Sequence, residues 1–395
     1  MNQSTPRAWI ATEPEGHRPV TIWGLSPAER LTRSLVARGV TRADVTLGPA
    51  APPADARGLV ALHGGYVLDD RLVQALLASP NTALLVDDGE RSTRRCVAGH
   101  FDAQHAELAV RVLNGSEIDF RELRAAGVEP VAPHELVHGY SEKLRSIAPP
   151  IVLAVNAGSV PAIERRLFDA SYKGVTDLVT KWVWPTPARW VTAWCVRRGI
   201  TPNAVTSLSW VLAAVAGVLF YQGRFALGLA VGWVMTFLDT VDGKLARVTL
   251  TSTKRGDVFD HSLDLLHPPL WYMAWAVGVD PEGAWHSVAL GVTVGGYVIG
   301  RLVEGLFMAL WKTHIHNWRR IDSWFRTVTA RRNPNMILLT LSVLVGRPDL
   351  GIVWVAVWTA ISTTFHTVRF AQAGLKSLRG HAVQPWMSAQ RQVGA

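Results

Sequence analysis

Cysteine is scarce in this chain: 395 residues contain only Cys96 and Cys195. The two fall in different parts of the sequence with no metal-ligand spacing, so both read as free thiols of a reducing compartment. The N-terminus (MNQSTPRAWIATEPEGHRP) lacks the apolar core of a signal peptide, and the first domain is expected to stay in the cytoplasm. No internal repeat is evident. Nor do arginines interleave with aromatics as in an RNA or DNA module, so no nucleic-acid partner is expected despite a formal net charge of +9.

The composition instead divides. Up to about Pro150 charges are scattered among short apolar runs; from Thr201 onward long apolar stretches dominate, with Trp at their ends. Basic residues cluster beside the apolar spans, which suits an anionic membrane surface. The fold class expected is a helical integral membrane domain of six transmembrane helices plus interfacial juxtamembrane helices, preceded by a cytoplasmic α/β domain. Its parts are 1–155 (α/β domain), 156–200 (juxtamembrane amphipathic helices), 201–375 (membrane domain) and 376–395 (cytoplasmic tail).

In the first part, VTIWG at 20–24 reads as a strand before a helix from Pro27 to Arg38. GLVALHGGYVL at 58–68 precedes a helix from Asp70 to Ala78, and TALLVDD at 82–88 follows. HAELAVRVLNG at 105–115 and IVLAVN at 151–156 continue the alternation, which favours a largely parallel sheet. From Ile163 to Arg198 basic residues interleave with Trp182, Trp184, Trp190 and Trp194, as in helices lying in the headgroup layer, with a break at Pro185 and Pro187. A linker packed on the first domain is the plainer account of this stretch. Six spans are placed near 203–221, 225–248, 257–279, 285–311, 335–348 and 350–373. Lys254 and Arg255, the arginine-rich 312–334 loop and the basic C-terminal tail lie on one side, which the positive-inside rule makes cytoplasmic.

The densest chemistry runs from Asp239 to Asp264, DTVDGKLARVTLTSTKRGDVFDHSLD. Asp239 and Asp242 are three apart and Asp260 and Asp264 four apart, spacings that put each pair on one helix face. Carboxylates at the edge of a bilayer need a partner, and four together call for a cation. Asp239, Asp242 and Asp260 can supply hard oxygen ligands for Mg²⁺ or Mn²⁺. One carboxylate can remain as general base for an attacking hydroxyl. Gly243 lets a substrate approach the helix, Ala246 keeps the next turn small, and Gly256 opens the following segment. Arg247 is a phosphate partner or a lock on the aspartates.

The pattern D-x2-D-G-x2-A-R-x8-G-x3-D-x3-D resembles, without gap or substitution, the signature of the CDP-alcohol phosphotransferases. The resemblance covers roughly Ile163 to Gly374 and includes TPNAVT at 201–206, similar to the start of the first membrane helix in these enzymes. It implies that Asp239, Asp242 and Asp260 hold metal and that Asp264 is the base. Gly243, Ala246 and Gly256, with Arg247, would then line the site of the CDP moiety. The reaction implied is attack of an alcohol on the β-phosphoryl of a CDP-alcohol with release of CMP, in phospholipid synthesis. A homodimer is implied as well, and the loop charges put the active site on the cytoplasmic face of the cell membrane. An inositol phosphate or similar polyol phosphate is the favoured acceptor. Transfer of a soluble CDP-headgroup to a lipid alcohol is the alternative, and a cation-coupled transporter is the reading from another class.

Arg301 and Glu304 are one helical turn apart in the fourth span. An internal ion pair is the plainer account; acceptor binding by Arg301 is the functional one. Arg331, Arg332 and Arg369 are further acceptor-binding candidates, with membrane anchoring the simpler account of the two loop arginines.

The layout of an α/β domain ahead of this membrane fold resembles fused inositol-phosphate cytidylyltransferases. Such enzymes need backbone N–H groups of a Gly-rich loop to reach phosphates. Here VTIWGLSPAERL offers only Gly24, and HGGYVLDD places Gly65 where a metal-binding acid is expected. Asp69-Asp70 reads as a helix start and Asp87-Asp88-Gly89 as a turn. A degenerate, inactive nucleotidyltransferase-like domain is therefore expected.

Overall fold

In the computed structural model, residues 6–12, 20–52, 57–88, 93–115, 120–279 and 284–389 are described. The chain forms two compact units. The first takes Met1–Gly139, Ile147–Ala170 and Val248–Leu250, and the second Tyr140–Ser146, Ser171–Arg247 and Thr251–Ala395.

The first unit is built on β1 (Arg7–Ala11), α1 (Pro27–Val36), β2 (Val45–Gly48), β3 (Leu59–His63), β4 (Tyr66–Leu68), α2 (Asp70–Ala78), β5 (Thr82–Asp88) and β6 (Thr93–Phe101). It continues through α3 (Ala106–Asn114), α4 (Phe120–Ala125), β7 (Glu129–Val131), α5 (Pro133–Leu136), β8 (Val152–Ala154) and α6 (Val160–Ala170). Six strands form one sheet in the order β2-β1-β3-β6-β5-β7. Alternate residues feed two apolar layers. Ala8, Ile10, Val60 and Leu62 pack with Leu31 and Leu35 of α1 and Leu72 and Leu76 of α2. Trp9, Leu59 and Ala61 pack with Leu108 and Val112 of α3 and Leu123 of α4. The period of two along each strand thus makes a three-layer α/β/α unit.

The sheet is mixed rather than largely parallel. β1 pairs parallel with β2 and β3, and β5 with β7, but β6 runs antiparallel to both β3 and β5. The stretch between Asp88 and Thr93 is too short for the crossover that a parallel pair requires. Asp87 and Asp88 consequently end a strand instead of forming a turn; Gly89 lies outside the described residues. The first strand is RAWIA, and VTIWG is a turn: Ile22 and Leu25 form an isolated bridge around Trp23 (φ 50°) and Gly24 (φ 76°). A tertiary contact overrides the local strand pattern there. The Trp23 amide donates to Glu164 Oε1 at 2.7 Å, and its indole N–H donates to the Glu164 carbonyl at 3.0 Å on α6. Asp69 caps α2 as its position predicts, accepting from the Arg71 amide at 2.9 Å.

In the second unit a π-helical turn, Val179–Val183, precedes α7 (Pro185–Arg197), which starts with Pro at its first position. α7 buries Ala188, Thr192 and Cys195 on one face, and Trp190 and Trp194 are exposed. Then come α8 (Pro202–Tyr221), α9 (Phe225–Val248), α10 (Lys254–Val279), α11 (Ala284–Trp311), α12 (Arg320–Phe325), α13 (Arg332–Leu344) and α14 (Pro348–Leu378). α8, α9, α11 and α14 are long and apolar enough to cross a membrane. Acidic and basic residues crowd the first turns of α10, and α13 has 13 residues. Phe220, Met235, Trp271, Trp275, Leu339, Ile352 and Val355 join α8, α9, α10, α13 and α14 in one apolar core. Gly278 lets α10 meet the end of α8, because a Cβ there would run into the Phe220 carbonyl.

Cys96 and Cys195 are free and buried. Burial pushes the Cys96 thiol up to about 12, so almost no thiolate exists near neutrality. Iodoacetamide is expected to leave Cys96 unmodified in the native protein and to alkylate it after denaturation, read by mass spectrometry. Equal labelling of the two states would contradict this burial.

Candidate active site

α9 carries Asp239 and Asp242 near its C-terminal end, and α10 carries Asp264 three turns into its 26 residues. Thr253 caps α10 by accepting the Gly256 amide at 3.0 Å. The backbone of Asp260 belongs to α10, but its side chain lies outside the described residues.

One guanidinium joins the two helices. Arg332, the first residue of α13, donates through Nη2 to Asp239 Oδ2 at 2.5 Å and through Nη1 to Asp264 Oδ1 at 2.7 Å. Asp239 is 10% exposed and Asp264 50%, so the fork spans from protected to open ground. Two asparagines fix the turn that presents it. Asn333 Nδ2 donates to Asp177 Oδ1 at 3.0 Å, and Asn335 Nδ2 donates to the Tyr272 hydroxyl on α10 at 2.7 Å. Burial pushes the Asp177 carboxyl up, but the Arg326 charge and hydrogen bonds from Thr180 and Asn333 outweigh it, leaving it below the ordinary value.

Asp242 is buried, and its Oδ2 accepts from Thr206 Oγ1 on α8 at 2.6 Å. Its Oδ1 has no hydrogen-bond partner among the described residues. A Cβ built on Gly243 would lie 3.6 Å from Arg247 Nη1, so the missing side chain leaves room beside that guanidinium. Arg247 also donates to the Ser171 carbonyl at 3.3 Å. A Cβ on Gly256 would lie 3.1 Å from Thr253 Oγ1 and 3.4 Å from Asn203 Oδ1. Ala246 is half-buried, and its carbonyl accepts the Thr251 amide at 2.9 Å.

The acceptor-binding candidates fall into three places. Arg301 and Arg331 converge on Glu304, at 3.1 and 2.5 Å. His316 Nε2 is 3.1 Å from the same carboxylate, and burial holds that imidazole well below its ordinary pKa, so it is a neutral N–H donor. Arg332 stands with the aspartates. Arg369 makes a separate buried pair, Nε to Asp322 Oδ1 at 2.6 Å and Nη2 to Oδ2 at 3.0 Å, with its guanidinium 4.3 Å from the Trp318 ring centre.

Residues 199–366 match the model of the family described as CDP-alcohol phosphatidyltransferase. This segment is a CDP-alcohol phosphatidyltransferase domain. The chain is 31% identical over 155 residues to a bifunctional IPC transferase and DIPP synthase of Rubrobacter xylanophilus, covering 39% of this chain and 33% of that protein. It is 34% identical over 90 residues to a phosphatidylinositol phosphate synthase of Mycobacterium marinum, covering 21% of this chain and 38% of that one. It is 26% identical over 173 residues to an archaetidylinositol phosphate synthase of Pyrococcus horikoshii, covering 42% of this chain and 80% of that one. The matched regions thus span about a third of the length of the first two relatives.

Within the phosphatidyltransferase domain, several partnerships were not legible beforehand. Thr206 stands in TPNAVT, yet nothing local pairs it with Asp242, 36 positions on. Arg332 reads as a loop anchor, and its fork across Asp239 and Asp264 depends on the packing of α13. Removing one partner of a buried ion pair costs about 3–5 kcal/mol. The half-exposed Asp264 discounts that figure, so Arg332→Gln is expected to destabilise the domain by roughly 2 kcal/mol. Arg332→Lys should recover only part of this, since an ammonium cannot fork. Thermal unfolding in detergent measures both; a melting point unchanged in Arg332→Gln would count against the bridge.

Proposed function

We propose that the chain transfers a substituted phosphoryl group from a CDP-alcohol, such as a CDP-diacylglycerol, to an alcohol acceptor, with release of CMP in phospholipid synthesis. The observation that carries this reading is the convergence of Asp239 and Asp264, from different helices, on Arg332, beside a buried Asp242. The carboxylates fit a divalent cation: a buried carboxylate oxygen without a donor, as in Asp242 Oδ1, is a hard ligand suited to one. Asp239, Asp242 and Asp260 would hold Mg²⁺ or Mn²⁺, which when bound neutralises charge on the pyrophosphate and the transferring phosphoryl group.

Asp264 accepts the proton of the acceptor hydroxyl as its oxygen bonds to the β-phosphorus. The bond from that phosphorus to the CMP oxygen breaks, and CMP leaves with the electron pair. Gly243, Ala246 and Gly256 line the donor site, and Arg247 meets its phosphates. A polyol phosphate, inositol phosphate above all, is the favoured acceptor. Burial pushes Arg145 down to about 10 and Arg326 to about 9; both stay charged at neutral pH, and a dianionic acceptor would offset that desolvation. Arg301 and Arg331 would bind the acceptor from the Glu304 cluster. Arg332 and Arg369 already hold carboxylates and would reach it only by releasing them.

In this reading α8, α9, α10, α11, α13 and α14 are six membrane spans in a homodimer. The aspartates, the 1–155 domain and the 376–395 tail face the cytoplasm, with 156–200 at the interface and 201–375 in the bilayer. The basic loops support that orientation. The first domain is a nucleotidyltransferase relative without activity: Asp69 is engaged in capping α2 and in a 2.7 Å pair with Arg71.

Purified protein in detergent is expected to release CMP from CDP-diacylglycerol with inositol phosphate, to stop with EDTA and to recover with Mg²⁺. Asn at 239, 242, 260 or 264 should lower the rate by about 10²-fold or more. Absence of CMP release from every CDP-lipid and CDP-polyol, with metal-dependent uptake instead, would overturn the enzyme reading. Full-length Asp264→Asn protein given CTP and a polyol phosphate should form no CDP-polyol; formation would show the first domain to be active.

A further inference from the structure

α10 contains consecutive prolines, Pro268 and Pro269, inside the helix. Each lacks the N–H that would bond four residues back, so the carbonyls of Asp264 and Leu265 lose their helical donors. Tyr297 of α11 occupies that gap. Its hydroxyl lies 3.2 Å from the Asp264 carbonyl and 3.0 Å from that of Leu265, so a single O–H is shared between the two freed acceptors. The same ring lies 5.5 Å from the Arg301 guanidinium, which is paired with Glu304. One side chain therefore touches the turn that carries Asp264 and the arginine cluster beside it.

We propose that Tyr297 is a positioning residue: its hydroxyl replaces the two backbone donors removed by Pro268 and Pro269, and so holds the Asp264 turn against the acceptor site. This rests on the proposed role of Asp264 as base. Without the hydroxyl, the two carbonyls lose the side-chain donor that stands in for the missing proline N–H groups, and the turn is free to shift. A displacement of about 1 Å in a reacting group can cost about 10²-fold in rate. The ring and its packing do not depend on the hydroxyl, so Tyr297→Phe isolates the hydrogen bonds.

CMP release is measured for wild type, Tyr297→Phe, the double variant Pro268→Ala/Pro269→Ala and the triple combination, with thermal unfolding alongside. Tyr297→Phe is expected to lower kcat roughly tenfold or more while the KM for the CDP-alcohol and the melting temperature change little. Alanines at 268 and 269 restore both amide donors, so in that background the same Phe substitution should cost less than about threefold. Unchanged kcat in Tyr297→Phe overturns the proposal, as does an equal loss in both backgrounds, which would place the hydroxyl's action elsewhere. Should the double variant fail to fold, Pro269→Ala alone, which restores the donor to Leu265, takes its place with the same criterion. Asp264→Asn separates the two ideas. Wild-type-like CMP release in that variant sinks the base assignment, whereas its loss alongside an unaffected Tyr297→Phe sinks only the role of Tyr297.

Discussion

The second unit depends on one fork of hydrogen bonds, from Arg332 to Asp239 and to Asp264. Carboxylates on neighbouring helices repel, and Asp239, only 10% exposed, gets little relief from water. A planar guanidinium answers both at once because its two terminal nitrogens diverge at the angle needed to reach separate acceptors. The surrounding scaffold serves that geometry. Asn335 binds Tyr272 of α10, and Asn333 binds Asp177, so the turn of α13 bearing Arg332 is held from both sides. The cation that the proposed chemistry requires would draw on the same Asp239, which makes Arg332 its natural competitor and its placeholder.

Other charged groups show the same economy with a different outcome. Arg369 and Asp322 form a closed pair with two matched contacts and an aromatic lid. The Glu304 cluster is open by comparison, since one carboxylate serves Arg301, Arg331 and a neutral His316. Closed pairs suit structure, whereas a cationic excess leaves donors to spare for a ligand.

Legibility in the sequence followed the range of the interactions concerned. α2 runs from Asp70 to Ala78 as expected because a local cap starts it, and β5 matches 82–88 for its dense apolar run. α8, α9, α10, α11, α13 and α14 lie where hydropathy places six long helices, whereas α12 falls in a stretch that reads as a loop. β1 was missed because five residues of RAWIA sit among polar neighbours and become a strand only between β2 and β3. VTIWG has strand composition, but Trp23 is held in a turn by Glu164, 141 residues away. In the candidate site the aspartate spacing announced itself, as local motifs do. Arg332 with Asp239, 93 positions apart, and Tyr297 with the Asp264 carbonyl, 33 apart, required helix packing to be known.

The charge arrangement also bears on the open question of the alcohol. Arg326 and Arg145 are each affected electrostatically by Arg331 and Glu304, and Arg326 by Asp177 as well. With Arg301, which also feels Asp264, four guanidinium groups therefore answer to three carboxylates. Burial without a matching anion is costly, so the free protein holds this excess at the expense of stability. A neutral alcohol would leave the imbalance intact and gain nothing from it. A phosphate monoester, carrying about two negative charges near neutrality, would remove it. The proposed preference for a polyol phosphate over an uncharged polyol or a lipid alcohol rests on this electrostatic balance at the Glu304 cluster. In the proposed reaction the aspartates would determine which bond breaks, and the arginines would select the acceptor by its charge.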